Sequence, residues 1–423
     1  MIPQVLRKRN FLLIWTARQI SALGDWILLI VLPLYIYNLT GSTIATGTMF
    51  ITQMIPRLLF GSIAGTIVER INKKLALSLT DFSRGIVLSF LFLVPEDKLW
   101  VFFVIVFAQN TIGTLFIPAH RALLAEIVDQ DQLVDANSIT IVTDNIIRLA
   151  GPSIGGALLG IGGLYISIGV DVLTYIISAL LILMMTVTEA TPKSDNHQKD
   201  SLTVKWLSFW SDWLDGLKTV KINRLIFLIF WLLSLTWFAQ GMINVLFVPY
   251  VLDVVGVGSL EFGWIESAEG AGGIIGGYLL LKLNKKFHPF PLIMTSLFLT
   301  GSLFFLVFNL PYFSIVLVLN ALLGMPNIIF SVRLETLLQE FVPNNYLGRV
   351  FGSYNTMVSL ATLTGMTFAS VFDFAGTVML LNVTAAIFIG SGLVFYRPLR
   401  RELKVMCKQN FNDYKKRIKS SKI

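Results

Sequence analysis

Ionisable side chains stand inside long apolar stretches of this 423-residue chain. A charge at the centre of a membrane helix costs about 2.5–3.5 kcal/mol, so such residues are the first candidates for chemistry. Asp25, Glu266 and Glu269 have no basic partner three or four residues away on their own stretch. Glu266 and Glu269 are three residues apart and share one helical face, where crowding and poor solvation favour a proton on one carboxyl group. We predict that these three acids bind protons.

Two acid–base pairs have helical spacing. Asp144 and Arg148 are four residues apart, and Asp81 and Arg84 are three apart. Side chains at these spacings lie on the same face of a helix, so each acid is expected to neutralise the base on its own helix. A purely structural role for both pairs remains open at this point.

The elements that hold these residues are membrane helices. Mean hydropathy is +0.74 and 14% of residues are charged, against roughly 25% in soluble domains. A helix needs about 20 apolar residues to cross a bilayer. Twelve stretches meet this length, and the first of them is too long to be a signal peptide. They are 11–37, 44–68, 75–95, 99–119, 138–161, 163–186, 225–251, 260–281, 290–308, 312–332, 350–371 and 377–396.

Loop charges predict the orientation of these spans. Lys and Arg are retained on the cytoplasmic side of short loops. Lys98 is the one basic residue in the odd-numbered connections, while basic residues at both termini and in the other loops lie on the opposite side. Both termini are therefore predicted to be cytoplasmic, and the net charge of +8 indicates topology, with no nucleic-acid partner. The single Cys407 excludes an internal disulfide and a cysteine metal cluster, and we predict neither metal nor cofactor.

The chain also repeats itself. GTIVERINKK at Gly65–Lys74 returns as GYLLLKLNKK at Gly277–Lys286, and two further pairs of segments follow at nearly the same offset. A parallel repeat of this kind forms two bundles with a cavity between them. We predict an all-α membrane protein with twelve transmembrane helices in two six-helix bundles. The predicted parts are the bundles 1–188 and 224–398, a linker 189–223 with an interfacial amphipathic helix, and a basic tail 399–423.

Together with the two six-helix halves, the phrase at Gly65–Lys74 resembles the loop signature of the major facilitator superfamily, with Glu69 where the family usually has Asp. Further motifs are similar to the branch that contains macrolide and siderophore exporters. They are Ser21-Ala-Leu-Gly-Asp25, the pair Asp81 and Arg84, Pro118-Ala-His-Arg121, and the helix 5 motif Gly151, Pro152, Gly155 and Gly156.

The resemblance implies a fold, a function and site residues. It implies a secondary active transporter in a bacterial cytoplasmic membrane, working as a monomer by proton-coupled efflux of a lipophilic small molecule such as a drug or macrolide. Its partners would be that substrate, protons and membrane lipid. It also implies a cytoplasmic gate and a polar lining of the substrate cavity. The gate is Gly65, Glu69, Arg70, Lys73, Lys74, Asp81 and Arg84, and the lining is Gln53, Arg57, Asp144, Arg148, Trp237, Gln240 and Asn244.

Other classes of protein compete with this interpretation. Within transporters, a siderophore exporter, a lysophospholipid translocator and a nutrient importer remain open, because a fold does not fix its cargo. A channel or a receptor would not require the repeat. A membrane enzyme is disfavoured because His120, His197 and His288 lie at or beyond helix ends, and because no HExxH, GxSxG or phosphate-loop motif occurs. The same lack of an ATP-binding motif favours an ion gradient as the source of energy.

Overall fold

A computed structural model describes residues 4–68, 71–186, 224–283, 287–342 and 347–420. The predicted linker, 189–223, lies outside the described residues. Within the described ranges every regular element is a helix. Six helices precede the linker: α1 (Arg9–Thr40), α2 (Thr43–Val68), α3 (Lys73–Ser89), α4 (Leu99–Gly113), α5 (Phe116–Ile127) and α6 (Leu133–Leu183).

Six helices follow the linker. A π-helical turn at Tyr250–Val254 extends the first of them. They are α7 (Arg224–Pro249), α8 (Ser259–Leu283), α9 (Pro289–Asn309), α10 (Phe313–Phe341), α11 (Leu347–Val371) and α12 (Thr377–Ser420).

These helices account for the twelve predicted spans. Eight described helical stretches are long and apolar enough to cross a membrane by length and composition, and the stretch Gln130–Leu183 alone contains two predicted spans. The other three predicted spans, 44–68, 260–281 and 350–371, coincide with α2, α8 and α11. The fourth span, 99–119, is divided between α4 and α5 at Thr114 and Leu115.

Helix α6 holds the fifth and sixth spans and turns between them at Gly163. The backbone there has φ 71° and ψ −171°, a conformation that only glycine adopts without strain. Gly163 lies in the glycine-rich sequence Gly-Ile-Gly-Gly-Leu-Tyr, which predicts the break. Helix α12 differs from its prediction, because it continues from the span 377–396 through Pro398 to Ser420. A proline removes one backbone donor, and the residues that follow it are mostly good helix formers.

Contacts divide the chain into two compact units. One is Met1–Lys199 with Phe247–Gly270, and the other is Asp200–Leu246 with Ala271–Ile423. In the second unit, α9 packs against α10 and α12. In the first unit, α6 packs along α1 and α3.

Among the described residues of the first unit, two apolar cores lie toward opposite ends of α1 and α3. The core that contains Phe11, Leu77 and Ile182 lies at one end. The core that contains Ile27, Leu88 and Ile168 lies toward the other. The polar positions of α1, α3 and α6 fall between the two cores along α1 and α3. The polar layer therefore lies between two regions of apolar packing.

Candidate functional site

Arg84 is the centre of the polar layer in the first unit. Its guanidinium group forms an ion pair with Asp25 of α1, and its Nη1 lies 3.5 Å from Oδ1 of Asp81 on its own helix. The same group lies over the ring of Tyr175 on α6, 4.2 Å from the ring centroid. Only 5% of the Arg84 side chain is exposed. A charge this deeply buried needs several partners at once, and three helices supply them.

The partners of Arg84 are themselves hydrogen bonded. Asp81 is fully buried and accepts hydrogen bonds from the Ser178 hydroxyl at 2.5 Å and from the Ser21 hydroxyl at 3.4 Å. Asp25 accepts a hydrogen bond of 2.5 Å from the Tyr175 hydroxyl. The Asp25 side chain is 43% exposed, so the network reaches the surface of the unit through this residue.

Asp171 of α6 is the third acid of the network. It is fully buried, and its carboxyl group interacts electrostatically with Asp25 and Arg84. Its Oδ1 lies 3.0 Å from the Thr174 hydroxyl. Its Oδ2 has no hydrogen-bond partner. Three carboxyl groups therefore surround one guanidinium group.

Helical spacing explains why these side chains meet. Residues 171, 174, 175 and 178 recur at intervals of three and four along α6 and share one face, as do 21 and 25 on α1 and 81 and 84 on α3. Two glycines let the charged groups approach the neighbouring backbone. A Cβ atom at Gly24 would lie 1.8 Å from Oδ1 of Asp171. A Cβ atom at Gly113 of α4 would lie 3.1 Å from Nε of Arg84.

Sequence reasoning missed the role of Asp171. The sequence placed Asp171 inside an apolar helix, where an acid is a functional candidate, but no basic residue stands three or four positions away on that helix. Its partners come from α1 and α3, which the sequence alone does not align with α6. Tyr175 was missed for the same reason, because a tyrosine in a membrane helix carries no comparable signal.

The structure corrects the predicted position of Asp81 and Arg84 in a cytoplasmic gate. Eight helical residues separate Asp81 from Lys73, a distance of roughly 12 Å along the axis, and the acid lies among the partners of Arg84 instead. Lys73 forms an ion pair with Glu126. The Lys74 ammonium group donates to the backbone carbonyl of Met185 at 2.8 Å.

The rest of the predicted gate is less constrained. Glu69 and Arg70 lie outside the described residues. Gly65 lies in α2, and a Cβ atom added there would meet no atom within 4 Å. The ion-pair role of the gate stays a prediction.

The predicted pairing of Asp144 with Arg148 is wrong. Asp144 binds Arg18 of α1 through two contacts, 2.7 Å from Nη2 and 3.3 Å from Nε. Gln19 donates a further hydrogen bond of 3.2 Å to this carboxylate. Arg148 instead lies 5.8 Å from the ring of Trp26. A fork-shaped guanidinium on a neighbouring helix fits a carboxylate with two bonds, which a residue on the same helix does not achieve here.

The predicted proton-binding acids fall into two places. Asp25 joins Arg84, as described above. Glu266 and Glu269 are partly buried on α8, and Glu266 interacts electrostatically with Glu269 and with Arg148. The pair thus has a basic neighbour on α6 that its own helix did not reveal.

The predicted cavity residues of α7 lie on one face of that helix. Gln240 donates to the Asn244 side-chain oxygen at 3.1 Å, and Trp237 interacts with Tyr354 of α11. A shallow, open depression of about 380 Å³ lies between α7 and α11, and its wall is mostly apolar. The lining residues are Ser234, Leu235, Phe238, Met357, Leu360, Ala361 and Thr364.

The predicted cavity residues of α2 belong to the first unit. The Gln53 side-chain nitrogen is buried and has no hydrogen-bond partner. Arg57, one turn further along, is exposed. In the described part of the chain, no group of three His, Cys, Asp or Glu residues could hold a metal ion.

The helix 5 motif lies at close helix contacts. Cβ atoms at Gly151 and Gly155 would lie 2.5 Å from Cβ of Trp26 and 3.0 Å from the Ile27 carbonyl oxygen of α1. A Cβ atom at Gly156 would lie 2.3 Å from the carbonyl oxygen of Ser259 on α8. The motif is therefore a packing surface for two helices, with Pro152 between its glycines.

Hydrogen bonds join the same segments. The Ser153 hydroxyl donates to the Ser267 hydroxyl at 2.6 Å, and Ser267 in turn donates to the Leu149 carbonyl oxygen at 2.7 Å. Tyr37, near the end of α1, donates to the carboxylate of Asp253 in the π-helical turn. These contacts attach Phe247–Gly270 to α1 and α6 within the first unit.

Comparison with known proteins gives consistent results. A family model described as Major Facilitator Superfamily matches residues 14–366. Macrolide efflux protein A of Streptococcus pyogenes is 24% identical over 86% of this chain and 89% of its own length. Enterobactin exporter EntS of Escherichia coli O1:K1 / APEC is 26% identical over 81% of this chain and 80% of its own.

The fold is also similar to that of solved transporters. The structure of a bacterial homologue of the human lysosomal transporter Spinster matches with a TM-score of 0.72 and 12% identity, over 93% of this chain and 97% of the other. The structure of a bacterial homologue of the iron transporter ferroportin matches with a TM-score of 0.70 and 15% identity, over 92% of this chain and 98% of the other. These matches concern the fold alone.

Proposed function

Because this chain belongs to the major facilitator superfamily, we propose that it is a proton-driven exporter of a lipophilic small molecule such as a macrolide. The chain is a multi-pass membrane transporter rather than an enzyme. The cargo, the coupling ion and the direction of transport are the proposed parts. The proposed location is a bacterial cytoplasmic membrane, with both termini in the cytoplasm.

One observation carries the coupling to protons. Asp25 is half exposed, yet its carboxylate binds a buried arginine and a buried tyrosine. An acid in this position is exposed on one side and linked to α1, α3 and α6 on the other. Binding a proton at Asp25 weakens its attraction to Arg84, so the protonation state of Asp25 biases the packing of α1 against α3 and α6.

The proposed cargo rests on the chemistry of α7 and on the similar exporters. The shallow depression between α7 and α11 offers an apolar wall, and the amides of Gln240 and Asn244 lie on α7. A large apolar molecule with a few polar groups fits such surroundings, since a small number of polar contacts fix its orientation. The relative from Streptococcus pyogenes is named for macrolide efflux, which favours that class of cargo.

Alternating access requires contacts that open and close. With both termini in the cytoplasm, as proposed from the positive-inside pattern, Tyr37 and Asp253 would lie at the outer ends of their helices. We propose that their hydrogen bond, with that of Ser153 and Ser267, holds the outer end of the transporter closed. Release of cargo to the outside would then break these contacts.

Siderophore export is the second candidate. The relative from Escherichia coli is named an enterobactin exporter, and Arg57 is an exposed cation on α2 that would suit an anionic cargo. Arg57→Gln should then impair export of a catechol siderophore more than export of a macrolide. Equal effects on both would remove this argument.

Transport by inside-out vesicles tests the proposal. Vesicles that contain the full chain are given an acid interior, and uptake of a radiolabelled macrolide, a catechol siderophore or a lysophospholipid is measured. We expect macrolide uptake that a protonophore abolishes and that Asp25→Asn reduces to the level without a gradient. The proposal would be overturned if only the lysophospholipid were taken up, or if macrolide uptake did not depend on the proton gradient.

A further inference from the structure

Asp171 differs from the other two acids of the Arg84 network in having a buried carboxyl oxygen, Oδ2, with no hydrogen-bond partner, although its carboxyl group also interacts with Thr174 and Tyr175. Asp81 accepts hydrogen bonds from two serine hydroxyls and lies beside Arg84. Asp25 forms an ion pair with Arg84, accepts a hydrogen bond from the Tyr175 hydroxyl, and is half exposed. Asp171 is fully buried, and its Oδ2 receives nothing. Burying an ionised carboxylate without a full set of hydrogen bonds is unfavourable, so the neutral acid has the lower free energy there.

The Thr174 hydroxyl gives an independent reason to place a proton on Asp171. Its oxygen lies 2.7 Å from the Asp171 backbone carbonyl oxygen and 3.0 Å from Oδ1 of the same residue. A hydroxyl group has one hydrogen and two lone pairs, so it can donate one two-centre hydrogen bond, here to the closer oxygen. A protonated carboxyl group would make the second contact a full hydrogen bond by donating to the Thr174 oxygen, whereas a carboxylate can only share the same hydrogen.

Charge balance leads to the same result. Arg84 carries one positive charge, and three acids lie around it. If Asp25 and Asp81 are ionised, the first is screened by its exposure and the second is paired and hydrogen bonded. A third negative charge, on Asp171, would have no hydrogen-bond donor at Oδ2. Its only nearby counter-ion would be Arg84, which already pairs with Asp25 and Asp81.

We propose that Asp171 holds a proton in this structure and exchanges it during the transport cycle. This inference rests on the proposed function and deepens it, because it names the buried proton site. Asp25, on the exposed side, is the group that takes up a proton from water.

The exchange conserves protons and charge. The Asp171 carboxyl group gives its proton to the Tyr175 hydroxyl, whose own proton passes to Asp25 along their hydrogen bond. Asp25 becomes neutral and its attraction for Arg84 falls, while the Asp171 carboxylate becomes the counter-ion of Arg84. The Arg84 Nε–H group is buried and has no acceptor in this structure, so it is available to the Asp171 carboxylate. The number of protons in the network stays the same in this step, and Arg84 changes partner. Asp25 then loses its proton on the exposed side, and when it takes up another, the reverse relay returns a proton to Asp171.

The titratable and charged groups around Asp171 come from three helices. Asp25 lies on α1, Asp81 and Arg84 lie on α3, and Tyr175 lies on α6 itself. Helix α4 contributes Gln109, which donates to the Tyr175 hydroxyl at 2.6 Å and does not titrate. A pH response of the network therefore belongs to these groups.

Infrared spectroscopy of the purified full-length protein at neutral pH tests the proposal. A buried protonated carboxyl group has a carbonyl stretch that ionised carboxylates lack. Glu266 or Glu269 is expected to contribute a band of its own, so the difference spectrum between the natural protein and Asp171→Asn should show the loss of one carboxyl component. Thr174→Val should keep that component and move it to higher frequency, because the carboxyl group loses its acceptor. Asp131→Asn, at an exposed acid of a surface turn, is the matched control and should leave that component unchanged.

Transport gives a second readout. Asp171→Asn in proteoliposomes should retain exchange of labelled for unlabelled macrolide but lose accumulation driven by a proton gradient. The proposal is overturned if the difference spectrum between the natural protein and Asp171→Asn lacks a carboxyl component, if Thr174→Val leaves that component unmoved, or if Asp171→Asn still accumulates cargo with a proton gradient. If no tested cargo moves, the proposed function fails, whereas the infrared result still decides the state of Asp171.

Discussion

Gly24 of α1 allows Asp171 of α6 to lie against the α1 backbone, so Gly24→Ala should damage the polar layer directly. An added Cβ atom would lie 1.8 Å from Oδ1 of Asp171, 2.4 Å from the Thr174 hydroxyl oxygen and 2.8 Å from Cγ of Asp171. Real contacts of this kind are longer than 3 Å. Both neighbours are buried, so they cannot swing into solvent to make room.

The expected cost follows from this geometry. Adding a methyl group to a well-packed interior costs about 1–3 kcal/mol of unfolding free energy. Glycine to alanine at an unobstructed helical position gains up to about 1 kcal/mol. Gly390 of α12 is such a position, because a Cβ atom there meets nothing within 4 Å. Gly24→Ala and Gly390→Ala should therefore differ by about 2–4 kcal/mol in stability.

Unfolding of both variants by SDS in mixed micelles, followed through tryptophan fluorescence, measures this difference. Gly24→Ala should also lose proton-driven uptake, because the displaced α6 separates Asp171 from Arg84. Gly390→Ala should transport like the natural protein. A Gly24→Ala variant as stable as Gly390→Ala would refute the close approach of α1 and α6 on which the site depends.

Two further predictions concern contacts between helices. Arg18→Gln should lower the unfolding free energy by about 1–3 kcal/mol, because Asp144 loses its two-bond partner, and the double variant with Asp144→Asn should recover most of the loss. Arg148→Gln combined with Asp144→Asn should give no such recovery in the same titration. Tyr37→Phe should speed hydrogen–deuterium exchange of the backbone around Asp253, because the turn loses its anchor, and unchanged exchange would contradict the proposed outer contact.

Much of the fold follows from the sequence. Apolar length alone predicts the spans, since each membrane helix must satisfy its own backbone hydrogen bonds. The break at Gly163 is predictable because glycine tolerates the required φ. The continuation of α12 through Pro398 is not, because a single proline predicts an end of the helix more often than a passage through it.

The partners of the charged residues are harder to predict. Spacing along one helix correctly brings Asp81 close to Arg84, but it assigns Asp144 to the wrong arginine. Arg18 and Asp144 are 126 positions apart in the chain, and their contact depends on how α1 and α6 pack. The sequence does not say how the helices pack against one another, so the only partner it suggests for Asp144 is a base at helical spacing on the same helix, which is Arg148.

Stability alone is a poor reason for a membrane protein to contain the Arg84 network. Buried ion pairs are often replaceable by apolar residues of similar volume without loss, while removing one partner is strongly destabilising. A site with three acids and one base has a larger net charge than a single ion pair when all its groups are ionised. The apolar cores on either side of it can supply stability without it. An unbalanced cluster does have one property that apolar packing lacks, because its charge changes when it binds or releases a proton. The excess of acids over bases around Arg84 therefore supports the proposed proton exchange, and Asp171, whose buried Oδ2 has no hydrogen-bond partner, is the member that we propose holds the proton.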